Sequence, residues 1–312
     1  MRVSLRIAGV LVGAALLGSL SACSGRLQAQ VDNVDGLLVA TGEGDFAALV
    51  AEGVEHWSNR GDETEVLAAI ESWNAALNAP TAEGVDRSEE LAQVYTSLSL
   101  AHYWLAHAHY RYIADAGESK AACLAQYTIG MEMAQNALAL GNADWNTSLQ
   151  GGASAADSVS LLTVDDVPAA YWYAANAGRW ALLEGIVSAL RYKDEIFALM
   201  TRVQELDGSY FHNAPDRYFG AYHTKLPLGN PNVELARQHF ETAIAASPNY
   251  LETRVLFVEE YAMKTNDRAL AEEQLATVMG FNLDDAPDLL PENTNAQRRA
   301  QLILDEIDEL FR

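Results

Sequence analysis

The sequence predicts an all-α protein of stacked antiparallel helical hairpins. Three observations carry that expectation. Apolar residues recur every three or four positions along most of the chain, which is the helical period. No alternating apolar and polar run is long enough to make a convincing strand. A small-large-small pattern also repeats. Ala69, Trp73 and Ala76 precede Pro80, Ala236, Phe240 and Ala243 precede Pro248, and Ala271, Leu275 and Val278 form a looser copy.

Small residues where two helices touch, a large one filling the gap and a terminal proline are the logic of tetratricopeptide repeats. The hairpins are therefore expected to be degenerate tetratricopeptide-like repeats, whose stacking curves to leave a recognition surface. Element by element, Asp45 is placed to cap a helix carrying Phe46, Leu49, Val50, Val54 and Trp57 that stops near Gly61. A second helix spans about 64–78. Ser88 opens a long one to about 115, and another covers about 119–140, closed by Gly141. The stretch 143–163, with Gly151-Gly152 and several serines, reads as an ordered loop or short turns. Asp166, with Pro168 in the first turn, starts a helix over about 169–185, and 186–206 follows. After a turn-rich segment, helices are expected at about 233–246, 251–264, 267–279 and 295–311.

Composition narrows the function. Half of the 312 residues are hydrophobic and 20% are charged, enough apolar surface to bury a core. The net charge of −23 opposes nucleic-acid binding, which needs clustered Lys and Arg. Two cysteines build neither a disulfide scaffold nor a Cys-rich zinc site. Cys123, in an Ala-rich helical stretch, reads as a small buried hydrophobe.

The other cysteine has a different context. Arg2 and Arg6 precede an apolar run over 7–20, then Leu20-Ser21-Ala22-Cys23. The run is too short to span a bilayer and reads as a signal peptide, residues 1–22. Its ending resembles the bacterial lipobox, in which the cysteine is acylated and becomes the new N-terminus. That resemblance implies lipidation at Cys23, a lipid-anchored tether over 23–36 and one helical domain over 37–312. Acyl chains at about 0.8 kcal/mol per buried CH₂ anchor a protein without a membrane-spanning helix.

Catalytic motifs are weak. His102, His107 and His109 stand five, two and seven apart, whereas a helix brings two metal ligands together at three or four. His102 and His109 share a face but lie about 10 Å apart along the axis, too far for one ion. There is neither a G-x-S-x-G elbow nor a G-x-x-x-x-G-K-[ST] loop. Acid pairs such as Glu259-Glu260 and Asp284-Asp285 read as solvated surface. No enzyme, metal or cofactor is expected.

Two aromatic segments are more informative. In Tyr171-Trp172-Tyr173, three successive helical positions cannot face one core. Trp172 and Asn176 share a face, with Arg179 and Trp180 next along it, and Gly178 leaves room for a close helix crossing. Such a face either fills a core or lines a pocket or tunnel, with Asn176 and Arg179 as its polar points. The second segment, 206–227, joins two helical regions through a turn rich in Asn, Pro, Gly and aromatics. Arg217, among Tyr210, Tyr218 and Tyr222, would stack on a ring or clamp a carboxylate. The competing reading is a structural plug.

At these segments the chain resembles the TatT component of tetratricopeptide-associated tripartite ATP-independent periplasmic (TRAP) transporters. The matching residues are Tyr171-Trp172-Tyr173-Ala174-Ala175-Asn176 with Gly178-Arg179-Trp180, then Tyr210-Phe211, Ala214-Pro215, Arg217 and Gly220-Ala221-Tyr222 through Leu226-Pro227. His239-Phe240, Pro248-Asn249-Tyr250-Leu251, Pro291-Glu292-Asn293 and Asp308-Glu309-Leu310-Phe311 continue it. The resemblance is densest over about 165–312.

It implies a periplasm-facing lipoprotein, a homotrimer, a tunnel through each subunit and docking of the transporter's solute-binding protein. An organic or hydrophobic ligand would pass through the tunnel, past Trp172, Asn176, Arg179, Trp180, Tyr210, Arg217, Tyr218 and Tyr222. Ser24 after Cys23 resembles lipoproteins sorted to the outer membrane. The alternative is a tetratricopeptide scaffold lipoprotein that assembles proteins at the outer membrane without handling a ligand. An open tunnel edged by Trp172 and Tyr222 favours the first, and a filled core with only a surface groove favours the second.

Overall fold

The computed structural model describes residues 31–82, 84–225 and 232–312. The signal peptide, Cys23 and Leu226-Pro227 lie outside the described residues. Among those described there is no strand, and the chain is all-α.

Helices α1 (Phe46–Ser58) and α2 (Glu63–Leu77) form the first hairpin, started by Asp45 and Asp62, whose carboxylates accept from Ala48 N and Thr64 N. Trp73 of α2 is buried with Ala69 and Ala76 beside it. Its ring lies against Gly53 of α1, where a side chain would collide with it.

Helix α3 (Ser88–Trp104) packs along α4 (Ala116–Gly141), which Asp115 caps. Cys123 on α4 is buried. The long helix expected from Ser88 does not run regularly to 115. It passes into a π turn (Leu105–His109) and a 3₁₀ turn (Tyr110–Tyr112). The π turn changes the register, so His102 and His109 do not share a face. His102 Nδ1 pairs with Gln126 Oε1 at 2.6 Å, while His109 Nε2 faces Arg60 O at 3.1 Å.

The stretch expected as loop or turns is more helical than that, with α5 (Ala143–Gln150) and α6 (Ala155–Ser158). Asn142 caps α5 by accepting from Trp145 N, and the indole that follows is fully buried. The tether also differs from expectation at its inner end. Asn146 exchanges two hydrogen bonds with the Val31 backbone, at 2.9 and 3.0 Å, and Asp35–Leu38 is a 3₁₀ turn.

Helix α7 (Val167–Glu184) packs against α3, α4 and α8 (Ile186–Asp207). Tyr171, Trp172 and Tyr173 are all buried because α7 is covered on several sides. The turn-rich segment after α8 is a helix, α9 (Tyr210–Lys225), with Phe211, His212 and Asn213 in left-handed geometry at its start. The Asn-Ala-Pro-Asp signal marked a helix beginning rather than a loop. Pro215 sits in the first regular turn, where its missing N–H costs nothing.

The C-terminal hairpins follow in order. Helix α10 (Val233–Ala246) packs on α9, and the Phe240 ring lies 2.7 Å from where a Cβ on Gly220 would stand. Then come α11 (Glu252–Phe257), a second π turn (Val258–Ala262) and α12 (Met263–Thr265). Helices α13 (Arg268–Gly280), α14 (Leu290–Asp305) and α15 (Ile307–Leu310) complete the chain. Ala236, Phe240, Ala243, Ala271, Leu275 and Val278 are all fully buried, consistent with hairpin repeats.

Candidate functional site

One face of α7 has no large side chain for half its length. Ala174, Ala175 and Gly178 stand where α8 and α9 would otherwise be met, and a cavity of about 460 Å³ occupies the space. A Cβ added to Gly178 would meet only Ile196 Cδ1, at 4.0 Å. Gly178 therefore opens a hollow instead of allowing the close crossing expected of it. The close contact lies two residues earlier. Asn176 sits over Gly130 of α4, leaving no room there for a side chain.

The walls are aromatic. Trp172 meets Tyr171 and Phe211 edge-to-face, with centroids 4.7 and 4.8 Å apart, and Tyr103 at 5.3 Å. Offset and edge contacts of this kind stabilise about 0.5–1.5 kcal/mol each beyond area burial, so the wall is stiff. Tyr218 and Tyr222 extend it along α9, 5.7 Å apart. The cavity reaches the surface at the α7–α8 turn, where its lining residues Leu182 and Ile186 are 46% and 60% exposed.

The residues anticipated as ligand contacts separate into two groups. Trp172, Arg179, Arg217, Tyr218 and Tyr222 stand on the cavity wall. Asn176, Trp180 and Tyr210 do not. Asn176 Nδ2 donates to Trp172 O at 2.8 Å and to Ser99 Oγ at 3.2 Å, fixing α7 on α3. Trp180 turns away, half-buried edge-on to Tyr192 with 5.6 Å between centroids. Tyr210 stands behind the wall, where its hydroxyl accepts from Trp172 Nε1 at 3.1 Å.

Arg217 clamps neither a carboxylate nor the tyrosines near it in sequence. Its Nη2 donates to Phe211 O at 2.8 Å and its Nη1 to His212 O, and the guanidinium lies 4.5 Å over Tyr250. It thus holds the left-handed turn that aims Phe211 into the cavity. Three consecutive non-glycine residues in that region cost of order 1 kcal/mol each and need such a restraint.

The inner end of the cavity is polar. Arg179 Nε donates to Tyr103 Oη at 3.4 Å. Beside it lies a network that joins both π turns. His107 Nε2 pairs with Glu252 Oε1 at 2.8 Å, and Arg299 bonds both Glu252 and Glu259. Glu259 is thus an ion-pair partner, not the solvated acid its sequence suggested. Burial pulls His107 down to about 4, against the opposing pull of Glu252. Burial would raise Glu252, but Arg299 and His107 hold it well below the usual carboxylate range. Among the described residues no cluster of His, Cys, Asp and Glu has the geometry to hold a metal. No helix among them is long and apolar enough to cross a membrane.

Sequence reasoning missed Tyr103, His107, Glu252 and Tyr250. Tyr103 and His107 stand four apart and stack at 5.4 Å, a signal hidden by attention to metal spacing alone. Tyr250 and Glu252 follow the Pro248 turn and reach the cavity only through the hairpin stack.

Helical hairpins thus surround an aromatic-walled hollow with a charged inner end and an apolar rim. Comparison with family models makes the assignment specific. The chain belongs to the TRAP transporter T-component (TAtT) family, whose model matches residues 88–311. That family is a transporter component, not an enzyme family. No curated protein matches the chain.

Proposed function

We propose that this T-component is a periplasm-facing lipoprotein subunit that holds an organic solute with an apolar body and passes it between the solute-binding protein and the permease. The observation that carries the reading is the cavity. Its 460 Å³ is within the about 300–1,000 Å³ of small-molecule sites, and it is walled by Trp172, Tyr218 and Tyr222. A scaffold without a ligand has no need of Gly178 beside an unfilled space. The tunnel is this cavity prolonged through the subunit.

In this reading the solute-binding protein docks at the cavity mouth. Leu182, Leu183, Ile186, Val187 and Leu190 form an exposed apolar ridge there, with Val187 77% exposed. Contiguous exposed apolar surface of this kind marks interaction sites. Cys23 carries the lipid anchor, facing the periplasm at the outer membrane, and the subunit works as a homotrimer.

The test is recovery of partners and cargo from the native organism. Pull-down should return a TRAP-type solute-binding protein, and native mass spectrometry should show a small molecule bound. Val187→Glu should weaken the partner while leaving the melting temperature unchanged, and Cys23→Ala should release the protein from membranes. Repeated recovery of neither partner nor small molecule, with the wild type folded, would defeat the transport role.

A further inference from the structure

The two largest hydrophobic cores are separate. One gathers Tyr95, Trp145, Trp172 and Leu199 with their neighbours, and the other Phe240, Phe257, Leu275 and Ala296 with theirs. Helix α9 is shared between them. Its Ala214 and Phe219 belong to the first core, while Ala221 packs against the second and Gly220 lies on the Phe240 ring. Of the described helices before Gly208, α8 is the one that runs side by side with a helix after it, and that helix is α9.

On the far side of the cavity from α9 the two halves meet through polar groups. Arg60 grips Glu292, and its Nη2 also donates to Asp288 O at 3.2 Å. Tyr112 Oη donates to Asn295 Oδ1 at 2.7 Å, and the Arg298 guanidinium lies 3.6 Å over the Tyr112 ring. His107 pairs with Glu252. This seam is not close-packed. A cleft of about 770 Å³ runs along it, lined by Asn59, Asp62 and His109 from one half and Asp288, Asn295 and Arg298 from the other.

The cleft and the aromatic cavity are neighbours. Trp104 lines both, Glu292 lines the cavity and Arg60 lines the cleft. One layer of side chains, Trp104 and the Arg60–Glu292 pair, therefore stands between the two spaces. Trp104 Nε1 donates to Arg60 O at 2.7 Å, so the indole moves with the first hairpin and not with α14. Parting the halves at this seam lets each ion and hydroxyl exchange its partner for water, whereas parting them at α9 bares apolar surface. The seam is the side that yields, and α9 is the hinge.

We propose that the seam is the exit of the cavity. The C-terminal half swings about α9, Glu292 withdraws from Arg60 and Trp104, and the solute leaves through the cleft between the first hairpin and α14. Uptake past Leu182 and Ile186 and release past Arg60 thus use different openings. This assignment rests on the solute-passing reading of the cavity.

The experiment follows release of N-phenyl-1-naphthylamine, an apolar fluorescent probe, by stopped-flow dilution into buffer. Its starting protein has the mouth obstructed by Leu182→Trp with Ile186→Trp, two rim side chains. Tyr112→Cys with Arg298→Cys, joined by a bis-methanethiosulfonate in a chain carrying Cys23→Ser and Cys123→Ser, should slow release roughly tenfold, and dithiothreitol should restore it. Arg60→Gln with Glu292→Gln should speed release roughly tenfold. Equal rates in the joined and reduced forms would overturn the exit whether or not that second variant folds, and the solute-holding reading would survive. A folded Arg60→Gln, Glu292→Gln protein that releases no faster overturns it as well. Failure of the protein with an unobstructed mouth to bind the probe, or binding that Gly178→Phe leaves unchanged, removes the solute-holding reading itself.

Discussion

Arg60 grips Glu292 with both arms: Nε donates to Oε1 and Nη2 to Oε2, each at 2.8 Å, across 232 positions of sequence. The pair is largely buried and ties the N-terminal hairpin to α14. Arg60 lies outside the family-matched stretch, yet its partner is inside it.

Arg60→Gln should therefore destabilise the protein by about 3 kcal/mol, because it leaves a buried carboxylate without its cation. Arg60→Gln with Glu292→Gln should recover most of the loss. Urea denaturation of the two variants decides it. Equal losses in the single and double variants would show that the pair does not act as a unit.

Two glycines should respond oppositely to a single methyl group. Gly220→Ala drives a Cβ to 2.7 Å from Phe240 and should cost about 1–3 kcal/mol. Gly178→Ala meets open space in mid-helix and should gain up to about 1 kcal/mol. Thermal melts of the two variants check the contrast.

Much of this was legible in the sequence, for identifiable reasons. Periodicity located α1, α2, α7, α8, α10 and α13, and the pattern Ala236, Phe240, Ala243 located their contacts, because each depends on residues close in sequence. The π turns were not legible, since inserting one residue into a helix leaves no mark in an apolar pattern. The head of α9 has the local sequence of a loop, because its left-handed residues are stabilised by Arg217 and Tyr250, which local propensity does not include. At the site, one-dimensional spacing put Asn176 and Trp180 with Trp172, whereas their directions are set by Ser99 and Tyr192.

Stability should vary with pH through the half-buried Glu195 and the buried His107, in opposite directions. Burial raises Glu195 from 4.5 to about 7, although Tyr173 donates to it. The folded state then holds the extra proton, so this group's cost is absent below about 4.5 and complete above about 7. His107, lowered from 6.5 to about 4, makes the unfolded state the better proton binder, so its cost grows as pH falls through that window. Glu195→Gln should stabilise by about 2 kcal/mol at pH 8 and little near pH 4.5. A gain equal at both pH values would contradict the assignment.

Trp180→Ala should separate packing from binding. The indole packs edge-on to Tyr192 away from the cavity, so its loss should cost about 2 kcal/mol of stability. Affinity of the folded variant for cavity ligands should stay within twofold of wild type. A large drop in affinity at unchanged stability would put Trp180 on the ligand's route.

The rim residues Leu182, Ile186 and Leu190 belong at once to the exposed apolar ridge and to the cavity lining. Under the proposed docking, a partner seated on that ridge would roof the entrance, so cargo handed across would never cross bulk water and could not leak back while the two remain joined.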